Sequence, residues 1–216
     1  MIEDPPANPK AEARRQQILD AACNCVRQAG FHGASMAEIA QAADLSVGQI
    51  YRYFENKEAI IAAIVAQDHA AMREKFARLE ASGRCLAEAV ISECSQAVEH
   101  NYDPERAALV LEVLAEAARN PRVAAIVRAA DANERALVCK LLEPLSPSDR
   151  CEAEMTARGE VLMMLFDGMI MRSVNHPEGD KVAIADVMRS VIRHLLSDQP
   201  LLKGEVGETV KIADPS

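Results

Sequence analysis

Seven residues between positions 35 and 57 have the types and spacing to hold a nucleic acid: Ser35, Val47, Gly48, Gln49, Tyr51, Tyr53 and Lys57. The chemistry they offer is recognition rather than bond-breaking. A Gln49 amide can make a bidentate contact to adenine, and Val47 can pack on a thymine methyl. Gly48 has no side chain, which permits close approach to base edges. The Tyr51 and Tyr53 hydroxyls can donate to phosphate. Lys57, beside the free amides of a helix start, makes an anion site, and Ser35 can do the same on the other side. Base contacts of this kind specify, while phosphate contacts fix position. Arg52 faces outward with them. Lys10, Arg14 and Arg15 lie upstream, where they can follow the backbone or enter the minor groove.

Such a set works only if local structure presents it. Ser35-Met36-Ala37-Glu38 has capping-box spacing and starts a second helix, with Met36, Ile39, Ala40 and Ala43 inward. Asp44-Leu45 makes a turn, with Leu45 plugging the corner. Ser46 and Gln49 repeat the capping-box spacing and start a third helix ending near Tyr53, with Ile50 and Phe54 as its apolar back. Asn56 caps a fourth helix beginning at Lys57 and reaching toward Ala81. A first helix over 10–29 carries Ile18, Leu19, Ala22, Cys25 and Val26 as its stripe and ends at Gly30. Short capped helices also occur without any ligand. Gly48 inside one costs about 1 kcal/mol against alanine, a cost that a purely structural role does not offset.

The motif run resembles a known family. ILDAA at 18–22 and GFHGASMAEIAQAADLSVGQIYRYFENKEAII at 30–61 are similar to the N-terminal region of TetR-type (tetracycline-repressor-like) transcriptional regulators. The resemblance implies an all-α homodimer: a three-helix helix-turn-helix DNA-binding domain followed by a helical ligand-binding and dimerisation domain, about nine helices in all. It implies base contacts from Val47, Gly48 and Gln49, and phosphate contacts from Ser35, Tyr51, Tyr53 and Lys57. It implies no cofactor. The family often has a basic residue or threonine near the start of the third helix. Here that turn is uncharged, so specificity leans on few groups.

The expected organisation is a loose arm over 1–9, the DNA-binding domain over 10–57, the regulatory domain over 58–197 and a loose tail over 198–216. Further helices are expected at 84–101, 104–118, 121–142, 147–174 and 180–197, bounded by Gly83, Pro104, Pro121, Pro144 to Pro147 and Asn175 to Gly179. The net charge of −9 is uneven: −2 over 1–9, zero over 10–60 and −7 over 61–216. The acidic excess lies where it least disturbs phosphate contacts. The last two helices carry Met155, Leu162, Leu165, Met169, Ile184, Val187, Val191 and Leu195 at helical spacing. Those stripes face either a second copy or their own core. Candidate effector-binding residues are Met72, Phe76, Cys94, Leu111, Val127, Met163, Phe166 and Asp167. An intrahelical Asp167-Gly168 pair reads either as a cation or hydroxyl site or as an Asp satisfied by a neighbouring Arg.

The chain shows no HExxH, no glycine-rich phosphate loop and no GxSxG, and its five His are scattered, so no enzyme is expected. Cys23 and Cys25 point roughly 200° apart on a helix, and no CxxC occurs, so no metal site is expected. No signal-like or membrane-spanning run is visible, which predicts a cytoplasmic protein with reduced thiols. The predicted function is a ligand-responsive repressor that binds a palindromic operator on double-stranded DNA and is released by a small, largely apolar effector. The alternative keeps the DNA binding but senses oxidation or alkylation through a cysteine. Cys85, Cys139 and Cys151 are its candidates, each beside a basic residue.

Overall fold

A computed structural model describes residues 9–143 and 152–197. Among the described residues there are ten helices and no strand. In chain order they are α1 (Pro9–Gly33), α2 (Met36–Ala42), α3 (Val47–Ile50), α4 (Lys57–Ala81), α5 (Leu86–Ser92), α6 (Cys94–Asn101), α7 (Pro104–Ala117), α8 (Pro121–Leu142), α9 (Glu152–Asn175) and α10 (Lys181–Leu195). Residues 1–8 of the arm expected over 1–9, the tail expected over 198–216 and the segment 144–151 lie outside the described residues, and Pro9 is the first residue of α1.

Helix starts follow the polar caps in the sequence. Asn56 Oδ1 accepts from the Ala59 amide at 2.8 Å, and Asp103 accepts from Glu105 at 3.0 Å. Asn120 accepts from Arg122 at 3.1 Å, and Asp180 from both Val182 and Ala183 at 3.0 Å. Each occupies a donor that the first helical turn leaves free. Some boundaries differ from expectation. The single helix expected at 84–101 is broken at Glu93, which ends α5 and precedes α6. No Gly or Pro marks that break. Residues 31–33, expected as a plain connection, form a helical turn after a kink at Gly30, whose φ of 72° suits a residue without a Cβ.

Three apolar clusters organise the chain. The first joins Ile18, Leu19 and Ala22 of α1 to Ile39, Ile50, Phe54 and Ile60. The largest gathers α5, α6, α8, α9 and α10 around Val98, Leu141, Leu162, Met169 and Ile192. A small third cluster of Phe31, Ile61, Val113 and Val123 lies where α1 meets α4, α7 and α8. The apolar stripes of α9 and α10 divide: Leu162, Met169 and Leu195 are buried in their own core, and Met155, Leu165 and Ile184 pack against it. Of the predicted joining residues, Val187 and Val191 are exposed.

The end of α10 is held by a charge. The Arg158 side chain is 1% exposed. Its Nη1 donates to the Leu195 and Ser197 carbonyls at 2.7 and 2.9 Å, while Nη2 donates to Glu154 at 2.7 Å. The guanidinium thus neutralises a buried carboxylate and caps a helix C-terminus together. Arg158→Met keeps most of the volume but removes the charge from beside Glu154, and is expected to cost about 3–5 kcal/mol. Urea unfolding checks this. The double variant Glu154→Gln/Arg158→Met should recover part of the loss. A single-variant shift under about 0.5 kcal/mol would count against a structural role for the pair.

Candidate nucleic-acid interface and regulatory cavity

Both capping boxes form. The Ser35 amide donates to Glu38 Oε2 at 2.7 Å, and the Glu38 amide to Ser35 Oγ at 3.2 Å. The Ser46 amide donates to Gln49 Oε1 at 2.8 Å, and the Gln49 amide to Ser46 Oγ at 3.3 Å. Between them α2 ends in a Schellman arrangement: the Leu45 amide donates to Ala40 O at 2.9 Å and the Asp44 amide to Gln41 O at 3.1 Å. Asp44 takes the left-handed position, with φ 51°. Leu45 packs into the adjoining core as expected.

α3 is short. It ends at Ile50, not near Tyr53, and continues as hydrogen-bonded turns in which the Tyr53 and Phe54 amides both donate to Ile50 O. Ile50 and Phe54 are buried, and they fix its back. Its front is open: Val47 is 39% exposed and Tyr51 53%. A Cβ at Gly48 would meet nothing within 4 Å. Ser35, Gln49 and Arg52 are exposed too.

Three side chains are less free than their spacing suggested. Gln49 Oε1 is committed to the Ser46 amide, which leaves only the Nε2 donors to face outward. Lys57 Nζ donates to the Phe31 carbonyl and lies 4.1 Å over the Phe31 ring. Burial pulls its pKa down, against the charges of Glu116, Glu58 and Glu38. Tyr53 is half-buried against the core. Arg15, expected on the DNA backbone, donates Nη1 to the Tyr53 carbonyl at 3.2 Å and stacks 4.5 Å over Phe54. The turn after α3 is therefore braced from α1.

The larger domain holds a partly open cavity of about 440 Å³ between α4, α5, α6, α7, α8 and α9. Met72, Phe76, Met163, Phe166 and Asp167 line it as expected. Cys94, Leu111 and Val127 do not. Cys94 is buried in the α5–α10 core, and Val127 packs on the Phe31 cluster. Leu111 is half-buried on α7, outside the lining. In each case helical phase turns the side chain away from the cavity.

The sequence reading missed the polar part of the lining. Arg106 on α7 makes a bidentate pair with Asp68 on α4, at 2.7 and 2.9 Å. Arg106 Nε is the buried side-chain polar atom left without a hydrogen-bond partner among the described residues. His69 Nδ1 lies 3.6 Å from Glu134 on α8. Burial, and then the Arg106 charge, pull His100 below its ordinary pKa. Burial pushes Glu134 up, the His69 charge opposing and Asp167 and Asp68 adding to it. Asp167 is pushed up by burial and by Asp131. Among the described residues Asp167 has no ion pair or hydrogen bond, so no neighbouring Arg satisfies it. Only Asp167 had a local sequence signal; the others pair across 38 or more positions.

The cysteines divide as well. Burial raises the pKa values of Cys23, Cys25 and Cys94, which disfavours the thiolate. Cys85 and Cys139 are exposed. Cys151 lies outside the described residues. No group of three or more His, Cys, Asp or Glu among the described residues could hold a metal, and no helix there is long and apolar enough to cross a membrane.

A helix-turn-helix unit braced on a helical domain with an internal cavity defines a class of DNA-binding regulator. Residues 18–64 match the model for bacterial regulatory proteins of the tetR family, and residues 86–198 match the tetracyclin repressor-like C-terminal domain. The chain belongs to the TetR family of transcriptional regulators. It is 36% identical over 119 residues to the transcriptional regulator UidR of Escherichia coli K12, a match spanning 55% of this chain and 59% of that relative's length. Salmonella enterica GusR superposes with a TM-score of 0.68 at 26% identity, covering 85% of this chain and 95% of that one. FadR from Bacillus subtilis, solved in complex with stearoyl-CoA, shares the fold: TM-score 0.68, 20% identity, 85% of this chain and 98% of that one.

The raised carboxylates have a definite sign. A carboxyl whose folded pKa lies above its unfolded value stabilises the fold fully below the unfolded pKa, and that contribution is lost as pH rises through the folded pKa. Asp167 is exposed, and solvent screening keeps its contribution small, so Asp167→Asn is expected to melt only slightly above wild type at pH 8, with the difference vanishing below about pH 4. Calorimetric melts across that range check it. A variant that melts below wild type at pH 8 would show that Asp167 is held by a favourable partner.

Proposed function

We propose that this chain is a ligand-responsive repressor that binds a palindromic operator on double-stranded DNA as a homodimer and is released by a small, largely apolar effector. One observation carries the reading: the helix that starts beside the DNA-facing surface is also a wall of the cavity. α4 begins at Lys57 and lines the cavity at Met72 and Phe76. A ligand that fits only one tilt of α4 changes the placement of α3, and with it the dimer's match to DNA.

On this reading Val47, Gly48 and Gln49 meet base edges, and Ser35, Tyr51, Tyr53 and Lys57 meet phosphates. Gln49 reads through its Nε2 donors while Oε1 keeps its cap. A bidentate adenine contact requires releasing the Ser46 amide. Lys57 must exchange the Phe31 carbonyl for a phosphate oxygen, a step that would itself report on the junction between the domains.

Two copies must set their α3 helices about 34 Å apart, one turn of DNA. An exposed apolar strip supports a partner. Met164 is 63% exposed and Met171 58% on α9, and Val187 is 64% on α10. Between the two methionines a Cβ on Gly168 would meet nothing within 4 Å, so the strip includes a recess for a partner's side chain.

Three variants separate these roles. Tyr51→Ala is expected to weaken operator binding at least tenfold without changing the melting temperature. Gln49→Glu keeps the cap acceptor but removes the donors and adds negative charge, so the fold should survive while binding falls by about 1–3 kcal/mol or more. Met164→Glu combined with Val187→Glu should yield monomers in analytical ultracentrifugation and lose operator affinity. Wild-type DNA binding by both Tyr51→Ala and Gln49→Glu would overturn the placement of α3 in the groove.

A further inference from the structure

The cavity's charges are not balanced from within. Lys75 pairs with Glu93 at 3.3 Å, Arg78 with Glu74 at 2.9 Å, and Arg106 with Asp68 at 2.7 Å. Those pairs account for every Lys and Arg in the lining. Two lining carboxylates remain. Glu134 on α8, its side chain 38% exposed, has only a histidine, at 3.6 Å, and Asp167 on α9 is exposed to solvent and has no ion pair among the described residues. The two lie close enough for the charge of Asp167 to act on Glu134. A third acceptor adds to them. Asn101, only 9% exposed, lines the cavity and gives its amide N–H to Ala97 O at 2.8 Å, while its Oδ1 meets no donor among the described residues. The rest of the wall supplies aromatic and thioether surface from Phe76, Phe166, Met72 and Met163.

We propose that the effector is an organic cation, a positively charged nitrogen on an apolar body, with the charge held at Glu134 and Asp167 and the body packed against Phe76, Phe166, Met72 and Met163. This rests on the reading of the cavity as the effector site. Ring faces attract a cation, and the attraction grows as water is excluded. A carboxylate ligand would instead meet two carboxylates, with each lining Lys and Arg already ion-paired and only Arg106 Nε left to donate. An uncharged ligand would cover both carboxylates without supplying a countercharge. The groups that set the field come from every packed helix: Asp68 and His69 of α4, His100 of α6, Arg106 of α7, Asp131 and Glu134 of α8, and Asp167 of α9. Their excess is negative.

The test uses the full chain and three probes of matched length below micelle-forming concentrations: octyltrimethylammonium, octanol and octanoate. Calorimetry is expected to show the cation binding at least about tenfold more tightly than either of the others. Because the quaternary nitrogen carries no proton, its binding should tighten as pH rises through the range where Glu134 and Asp167 ionise. Asp167→Asn and Glu134→Gln, checked by melting to be folded, should each remove most of the preference and flatten the pH profile. Equal binding of octanol or octanoate, no binding of the cation, or an unchanged preference in both variants overturns the proposal. Met163→Trp, which fills the cavity, tests the underlying reading separately. Loss of binding by all probes keeps the cavity as the site whatever the charge preference, whereas unchanged binding places the ligand elsewhere and overturns both.

Discussion

The placement of Phe31 decides how the two halves of this molecule act on each other. Its ring is 3% exposed and packs with Ile61, Val113 and Val123, one residue each from α4, α7 and α8. Its amide donates to Glu112 Oε2 at 3.2 Å, and its carbonyl accepts from Lys57. Gly30 makes this possible. A positive φ turns the chain there, and a Cβ would stand 3.1 Å from Glu112 Oε2. The residue that follows the kink in α1 is thus tied to the start of α4 and the middle of α7. Nearby, His32 lies 3.3 Å from Glu116. Burial pushes Glu116 up, but hydrogen bonds from Asn120 and Arg119 outweigh it and hold the carboxyl below its ordinary range. The exposed Arg27–Glu105 pair adds little beside these.

From that junction, two helices run to the cavity. α4 carries Lys57 at one end and Asp68, Met72 and Phe76 further on. α7 carries Glu112 at the junction and Arg106 in the cavity wall. The Asp68–Arg106 pair joins the same two helices that the Phe31 junction joins, so they are clamped at two levels. A shift of one helix against the other at one level would have to strain or break the contact at the other. The DNA-facing end is well suited to follow. α3 has four residues, too few to hold helical form alone, and its direction is set by packing against α1, α2 and α4.

The DNA-facing half was legible in the sequence because its determinants are local. A capping box spans three positions, and the Ala40–Leu45 turn six. Family-specific spacing then added roles that geometry alone leaves open. What escaped was non-local. Lys57 meets Phe31 across 26 positions, Arg15 meets Tyr53 across 38, and Asp68 meets Arg106 across 38. Nothing in a single helix marks such partners. The break at Glu93 carried no Gly or Pro, and on α9 apolar residues surround much of the helix, so periodicity could not separate Leu162 and Met169, which are buried, from Met164 and Met171, which are exposed. Gln49 is a different case: both of its possible duties were visible in the sequence, and only coordinates show the side chain occupied by the cap.

The two halves also differ in where they leave polar groups unsatisfied. The helix-turn-helix unit closes nearly all of its local bonds, from both capping boxes to the Asn56 cap. Its one strained backbone position, Asp44, is offset by the turn that it completes. Around the cavity the opposite holds: an Arg106 Nε without a partner, an Asn101 carbonyl without a donor, and two carboxylates pushed up by burial. Each departure lowers stability, and an apolar wall would avoid it. These departures share one partly open cavity, and among the described residues no other fully buried side-chain nitrogen or oxygen than Arg106 Nε lacks a hydrogen-bond partner. The same space is bounded by the helix pair that carries the junction at Phe31. The least satisfied part of the described structure therefore borders the same two helices, α4 and α7, that meet at the Phe31 junction.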